Sequence, residues 1–401
     1  MLAFPRSEYD HRFERARSIM AERNIDALLV SNVENVAYLA GSGTFDHSWA
    51  MNFMEPIAYA TVIIVPKSGR PVLIVHDVFE GVLAQAGAMD DVRVYYEKGR
   101  EEEQPYVEMT VQALKDLGCS KGSIGVELGA GYTTDPKLGM PLGNYLRIKE
   151  RLPEAKFVDG SETLRILRMI KSNREIDCIR RASAAIDKTF AVCFETMRLD
   201  MSETEVVGIC NKILSEQGTR PVWTLAVIGG LEKALNPRPD VKLQKGNILF
   251  LDLGATYAGY HSDFNRMAVV GRGTDRQRKA CKNIAAITRS TIEAIKPGIT
   301  AADIVDICRK EYQKLGLKTT TGHDTRGYGV HRKIGHGIGL TLSEAPQITT
   351  YDKTVIEPGM TFCIEPPLMT AEGAYVVEDV VAVTKSGSEF LSKADGELYE
   401  I

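Results

Sequence analysis

The chain has 401 residues, of which 44% are apolar and 25% charged, and its formal net charge is −4. That length exceeds one ordinary core and predicts at least two domains. A mildly acidic chain with no Lys/Arg block is not expected to partner nucleic acid. An N-terminus that is charged at once, with no apolar run near ~20 residues anywhere, predicts neither a signal peptide nor a membrane span and points to the cytoplasm.

In chain order, periodicity predicts a helix over residues 8–23, followed by the strand DALLVSN. TVIIVP and PVLIV are short β-rich runs on either side of the turn KSGR. GSIGVELG and AKFVDG read as strands flanking the helical NYLRIKERL. The first half is therefore expected to be an alternating α/β domain, with its boundary placed between residues 165 and 166. A long helix is predicted from Ser172 to Arg198, where Ile176, Ile179, Ala182, Ala185, Ile186 and Phe190 recur at helical spacing. A second helix is predicted from Glu203, with Ser202 as its N-cap. Residues 221–270 and 355–391 are β-rich, and the helical ITRSTIEAIKP and AADIVDICRKEYQKLG lie between them. Residues 166–401 thus read as an α+β domain. The seven cysteines (Cys119, Cys178, Cys193, Cys210, Cys281, Cys308 and Cys363) are odd in number, widely spaced and without a C-x-x-C pair. They read as reduced thiols, mostly core filler, rather than a disulfide frame or a zinc knuckle.

The stretch FLDLGATYAGYHSDFNR, residues 250–266, reads as a hairpin with an aspartate in each strand. A turn centred on Tyr257-Ala258 sets Asp252 opposite Asp263. Like charges so placed repel, and a bound cation relieves that most directly. The pattern recurs in MTFCIEPPLMTAEGAYVVEDVVAV, where a turn near Ala371-Glu372 sets Glu365 opposite Glu378. Both flanks are apolar, so these carboxylates are expected to point inward, and buried acid pairs without cations are costly. Glu378 and Asp379 are adjacent, so one of them faces inward, and the pairing count selects Glu378. His336 stands in GHGIGL between glycines that let the backbone approach closely. Four carboxylates and an imidazole make a mixed N/O set suited to two metal ions a few ångströms apart, which would hold a hydroxide and polarise a carbonyl.

These residues and their neighbours resemble the pita-bread metallopeptidases: prolidase, Xaa-Pro aminopeptidase, methionine aminopeptidase and their creatinase relatives. RMIKSNREIDCIRRA, DLGATYAGYHSDFNR, GHGIGL, GMTFCIEP and VVEDVV follow in family order, and the resemblance spans nearly the whole chain. It implies a creatinase-like N-terminal α/β domain (1–165) and an α+β pita-bread catalytic domain (166–401). It further implies two divalent metals (Mn, Zn, Fe or Co) on Asp252, Asp263, His336, Glu365 and Glu378, with Glu365 doubling as general base. A homodimer acting on a small or dipeptide-like substrate is expected; in dimeric relatives the region matching FDHSWAMNF, with His47 and Trp49, reaches the neighbour's active site.

Two positions depart from the family pattern. Peptidases carry a histidine in an H-x-x-P setting before the first Asp strand, where ALNPRPD places Asn236 across a one-residue gap. They carry another in HE-x-P after GHGIGL, where TLSEAP places Ser343. Asn can donate a hydrogen bond but cannot shuttle a proton near neutral pH, and Ser is a poor substitute. The expected activity is hydrolysis of a C–N bond in a non-standard substrate. The alternatives are a lyase, like the dimethylsulfoniopropionate lyases of this fold, and a non-catalytic binding module. His331, one residue further from His336 than the corresponding family histidine, is a candidate catalytic group. Trp223, Tyr257 and Ser343 are candidate substrate contacts, and His261 a candidate second-layer residue. For Trp223, core packing is the simpler expectation.

Overall fold

The computed structural model describes residues 4–41, 61–77, 88–96, 105–129, 139–229, 236–317, 332–370, 373–393 and 395–401. His331, His47, Trp49 and the turn at Ala371-Glu372 lie outside these residues. The chain divides into two compact units, Met1–Arg168 and Met169–Ile401.

The first unit runs α1 (Arg6–Glu22), β1 (Ala27–Val30), α2 (Val33–Ala40), β2 (Val62–Pro66), β3 (Val72–His76), β4 (Asp91–Tyr95), α3 (Pro105–Asp116), β5 (Ser123–Val126), α4 (Leu142–Arg151) and β6 (Lys156–Asp159). Helix α5 (Ser161–Met169) ends it. Its sheet has the order β4-β3-β2-β1-β5-β6. The β1–β2 and β2–β3 pairs are antiparallel, and the others parallel. Strands β1 and β2 are buried along their whole length, as continuous apolar runs are when both faces of a sheet are covered. Glu127, just past β5, is also fully buried. Its carboxylate accepts from the Ser31 and Asn32 backbone N–H groups at 2.6 and 2.7 Å and from Asn35 Nδ2 at 2.7 Å.

The second unit begins with two long helices, α6 (Asn173–Thr196) and α7 (Glu203–Glu216). Each opens on a capping box, Ser172 with Glu175 and Ser202 with Glu205. Each box satisfies two backbone N–H groups that a helix start would leave unpaired. Strands β7 (Arg220–Ile228), β8 (Ile248–Tyr257) and β9 (Tyr260–Val269) follow, then α8 (Asp275–Glu293) and α9 (Ala301–Lys314). Helix α8 starts well before ITRSTIEAIKP, because Cys281 and Ile284 extend its buried stripe into a charged stretch capped by Thr274. The remaining strands are β10 (Lys333–Gly337), β11 (Glu344–Thr349), β12 (Thr361–Ile364), β13 (Pro367–Thr370), β14 (Gly373–Val376), β15 (Asp379–Val383), β16 (Ser388–Phe390) and β17 (Tyr399–Glu400). They form two main sheets, β17-β9-β8-β7 and β11-β10-β12-β15-β16, with β13 and β14 as a separate ribbon. All seven cysteines are free and buried.

The β8–β9 hairpin turns at Ala258 and Gly259, both with positive φ (51° and 84°), and not at Tyr257-Ala258. Two consecutive positive φ values match the twist of a tight two-residue hairpin. This corrects the expected register: Asp252 faces Asn265, and Asp263 faces Gly254. The two aspartates are diagonal neighbours on one face of the hairpin. The second pairing does follow the expected count. Ile364 faces Asp379 and Pro367 faces Val376, which brackets Glu365 across from Glu378.

Candidate metal centre

The face of β9 that carries Asp263 also carries His261 and Asn265, while Ser262 and Phe264 turn the other way. Ser262 Oγ meets Ser183 Oγ of α6 at 2.8 Å, and the Phe264 ring lies 5.6 Å from that of Phe190. Helix α6 thus backs the hairpin and frees the opposite face for polar groups. Asp252 Oδ2 on that face accepts from Trp223 Nε1 at 2.8 Å. Trp223 lies across Gly254, where a Cβ would come within 2.8 Å of the Trp223 Cβ. The indole is 37% exposed, so it is a wall beside Asp252 rather than core filling.

Strand β10 brings His336 to the same place. It is directly paired with Cys363 of β12. Its ring Nδ1 lies 3.0 Å from the Gly337 carbonyl, which favours a proton on Nδ1, and its Nε2 lies 3.8 Å from Glu365 Oε1. Burial and the Lys333 charge push the His336 pKa down to about 4, leaving a neutral imidazole with a free Nε2 lone pair. Glu378 turns its carboxylate into the cluster, where Asn265 Nδ2 donates to it at 3.2 Å. The neighbouring Asp379 points away to Arg266 at 2.7 Å and also accepts from Ser392 Oγ. The fully buried Arg266 further donates to the Glu378 backbone carbonyl at 2.5 Å, fixing that segment from behind.

Asp252 Oδ1, Asp263 Oδ1, Glu365 Oε1 and Glu378 Oε1 are all buried with no hydrogen-bond partner. Burial dominates their electrostatics. It raises Asp252 to about 6, against the opposing Trp223 hydrogen bond, and Glu365 to about 8, against the Lys333 charge. Asp263 is raised by burial and then by the Asp252 and Glu365 charges, and Glu378 by burial and then by Glu365, Asp263 and Asp252. Four acids with inward, unpartnered oxygens and one neutral imidazole are a donor set for hard to borderline divalent cations, so these residues fit a metal centre.

Matches to known families agree with this chemistry. Residues 177–385 match the model of metallopeptidase family M24, and residues 12–170 that of the creatinase/prolidase N-terminal domain. The chain belongs to metallopeptidase family M24. It is accordingly a metallohydrolase of the pita-bread, prolidase-like group. Among curated relatives, an Xaa-Pro dipeptidase of Pyrococcus horikoshii is 26% identical over 97% of this chain and 99% of its own length. A probable dipeptidase of Mycobacterium tuberculosis is 27% identical over 98% and 97%. The solved Xaa-Pro dipeptidase from Bacillus anthracis shares the fold, with a TM-score of 0.79, 24% identity and coverage of 98% of this chain and 100% of that one.

The remaining candidates are placed differently. Tyr257 lies at the hairpin's end on the face opposite Asp252. There its hydroxyl accepts from Arg181 at 2.7 Å, so it is not brought to the M24 cluster. Asn236 is solvent-exposed, just ahead of Arg238, whose guanidinium is locked onto the buried Glu203. Ser343 is half-buried on the loop before β11, with Gln347 Nε2 at 3.4 Å from its Oγ. That loop is held by a buried Lys171–Glu344 ion pair at 2.6 Å and by the His261 backbone N–H on the Gly339 carbonyl at 2.7 Å. Sequence reasoning missed Asn265 and Cys363. Each lies two residues from a candidate ligand, hence on the same face of its strand, and that spacing is the signal that could have found them.

Proposed function

We propose that this M24 member is a dinuclear divalent-metal hydrolase that cleaves a C–N bond of a small, dipeptide-like substrate other than a standard Xaa-Pro dipeptide. The observation that carries the reading is a set of four buried carboxylates, Asp252, Asp263, Glu365 and Glu378, each with an unpartnered oxygen and close enough to raise one another's pKa, with Glu365 Oε1 at 3.8 Å from His336 Nε2. Those five residues would hold two divalent ions, which supply Lewis acidity and an activated water when bound. With those ions bound, Glu365, at 14% side-chain exposure, would be the group to take a proton from the attacking water. Trp223, partly exposed, lies beside Asp252 and would meet a substrate there, and Ser343 stands on the loop between His336 and β11. The dipeptidase names of the curated relatives support a dipeptide-like substrate class.

Asn236 and Ser343 stand where the resemblance expects histidines, so a proton donor for the leaving group is missing from its usual place. Asn236 offers an amide donor only, and the remaining candidate for proton transfer is His331. Positioned acid–base catalysis typically contributes ~10²–10⁴-fold, and this is the loss expected on ordinary Xaa-Pro bonds. The same lack suits elimination, in which the leaving group departs without protonation, and that is the second reading. A panel of dipeptides and small amides assayed with Mn, Zn, Co and Fe, monitored for amine and for alkene release, tests both. Turnover of Xaa-Pro at ordinary enzyme rates, unaffected by His331→Ala, would refute the non-standard substrate. We also propose a homodimer on the creatinase-like first unit; a monomeric mass by light scattering at micromolar concentration would refute that.

A further inference from the structure

We propose that Cys363 is a further donor of the metal centre and biases it toward thiophilic ions such as Zn(II) and Co(II) over Mn(II). This inference rests on the metal-binding reading above. A nitrogen of His336, the Cys363 Sγ and a carboxylate oxygen of Glu378 all lie within 4.8 Å of one another, and all three residues are buried. Among the described residues no other group of three or more His, Cys, Asp or Glu side chains gathers so closely.

The placement follows from the strands. Cys363 faces His336 across the β10–β12 pair, and it shares the inward side of its strand with Glu365 two residues on. Its Sγ donates to the backbone carbonyl of Asp263 at 3.2 Å, which ties the thiol to the strand that carries another candidate ligand. Glu378 Oε1 beside it is buried without a donor in hydrogen-bond geometry, and the Cys363 thiol is close enough to the Glu378 carboxyl to interact with it, so the two donors already face one another where a cation would bind. The other donors of the centre are carboxylates and an imidazole, and Cys363 is the one soft donor among them. Zn–S, Zn–N and Zn–O bonds all run ~2.0–2.3 Å, so one ion can bridge a set of this spread with modest side-chain adjustment. Soft thiolates favour zinc and its neighbours, whereas oxygen donors suit Mn. On binding, the thiol proton leaves to solvent and a sulfur–metal bond forms, with no change of oxidation state.

The test is the absorption spectrum of the Co(II)-loaded protein, with metal content measured on the same sample. We expect a near-ultraviolet sulfur-to-cobalt charge-transfer band that Cys363→Ser removes. The Zn-over-Mn preference, from chelator competition, should fall in that variant by ~10–100-fold, the scale on which groups around a metal shift its affinity. Full cobalt loading without the band, or a band that survives Cys363→Ser, would overturn the role of Cys363 and leave the metal centre standing. Failure of cobalt, zinc and manganese to bind at all would overturn both. If Cys363→Ser does not fold, Cys363→Ala gives the same spectral comparison. If neither folds, the wild-type spectrum decides by itself, because the other six cysteines lie outside this group.

Discussion

Glu127 in the first unit and the carboxylates of the M24 centre in the second are all removed from water, yet they are treated in opposite ways. Glu127 has donors on both oxygens: two backbone N–H groups and the Ser31 hydroxyl on Oε2, and the Asn35 amide on Oε1. Glu203 likewise has its oxygens covered by the Ile228 and Arg238 backbone N–H groups and the Arg238 guanidinium. The cluster acids keep one oxygen each without any donor. A buried acid surrounded by donors is part of the scaffold, because its hydrogen bonds replace those it lost to water. Acids that share a pocket with one another, each with one oxygen left without a donor, are held by protons in the metal-free protein and are what a bound cation would complete.

The largest effect that could break this contrast is loss of a ligand. Asp263→Ala and His336→Ala should each lower bound divalent metal below the wild-type content, up to two ions per chain. Hydrolysis should fall by ~10³-fold or more, on the scale of losing a preorganised electrostatic group. Unchanged metal analysis in both variants would remove the assignment. Glu127→Ala is the counterpart. It should cost ~1–3 kcal/mol by stranding donors that now bond Glu127, seen as a lower denaturation midpoint, while metal content stays at the wild-type level.

Next in size is a pH effect on the metal-free protein. Asp252 at about 6 and Glu365 at about 8 sit above their ordinary values of 3.8 and 4.5. Groups raised on folding stabilise fully below the unfolded pKa, and that stabilisation drains away as pH rises through the folded pKa. The melting temperature of the metal-free protein should therefore fall from about pH 4 to pH 8. In a unit of this size ~1 kcal/mol corresponds to ~2–4 °C, so the change is measurable by calorimetry. Glu127, raised by burial to about 7, acts with the same sign. Saturating divalent metal separates the two, since it binds the ionised cluster and cancels only that share of the slope. A slope that metal leaves untouched would assign the whole effect to Glu127. The smallest effect belongs to Trp223→Phe, which removes the indole donor to Asp252 and should weaken metal binding by ~10-fold at unchanged fold.

Much of this contrast could be read in the chain itself. The capping boxes of α6 and α7 and the facing of Glu365 and Glu378 follow from local spacing, because helix starts and strand pairing depend on near neighbours. The β8–β9 register did not follow. It depends on Ala258 adopting a positive φ, which a residue with a Cβ rarely does, so the turn was placed one residue early. Tyr257, five residues from Asp252 on the same strand, lies on the opposite face by alternation whichever residue centres the turn. Asn265 and Cys363 look like ordinary strand residues, and only the approach of β12 and of the segment bearing Glu378 to β9 gives them polar partners. Glu127 escaped notice because its donors come from a segment about a hundred residues earlier.

The glycines that flank His336 carry a further consequence. A Cβ at Gly335 would lie 1.9 Å from the Cys363 carbonyl oxygen, and one at Gly337 would lie 2.4 Å from that of Ala345. Strand β10 is therefore wedged between its neighbours so tightly that its middle has room for a single side chain. For directed evolution this makes the strand a socket with one interchangeable pin. The donor at 336 can be exchanged for another, but no side chain fits at 335 or 337, so a second group would have to come from β8, β9, β12, the segment bearing Glu378 or the loop that bears Ser343.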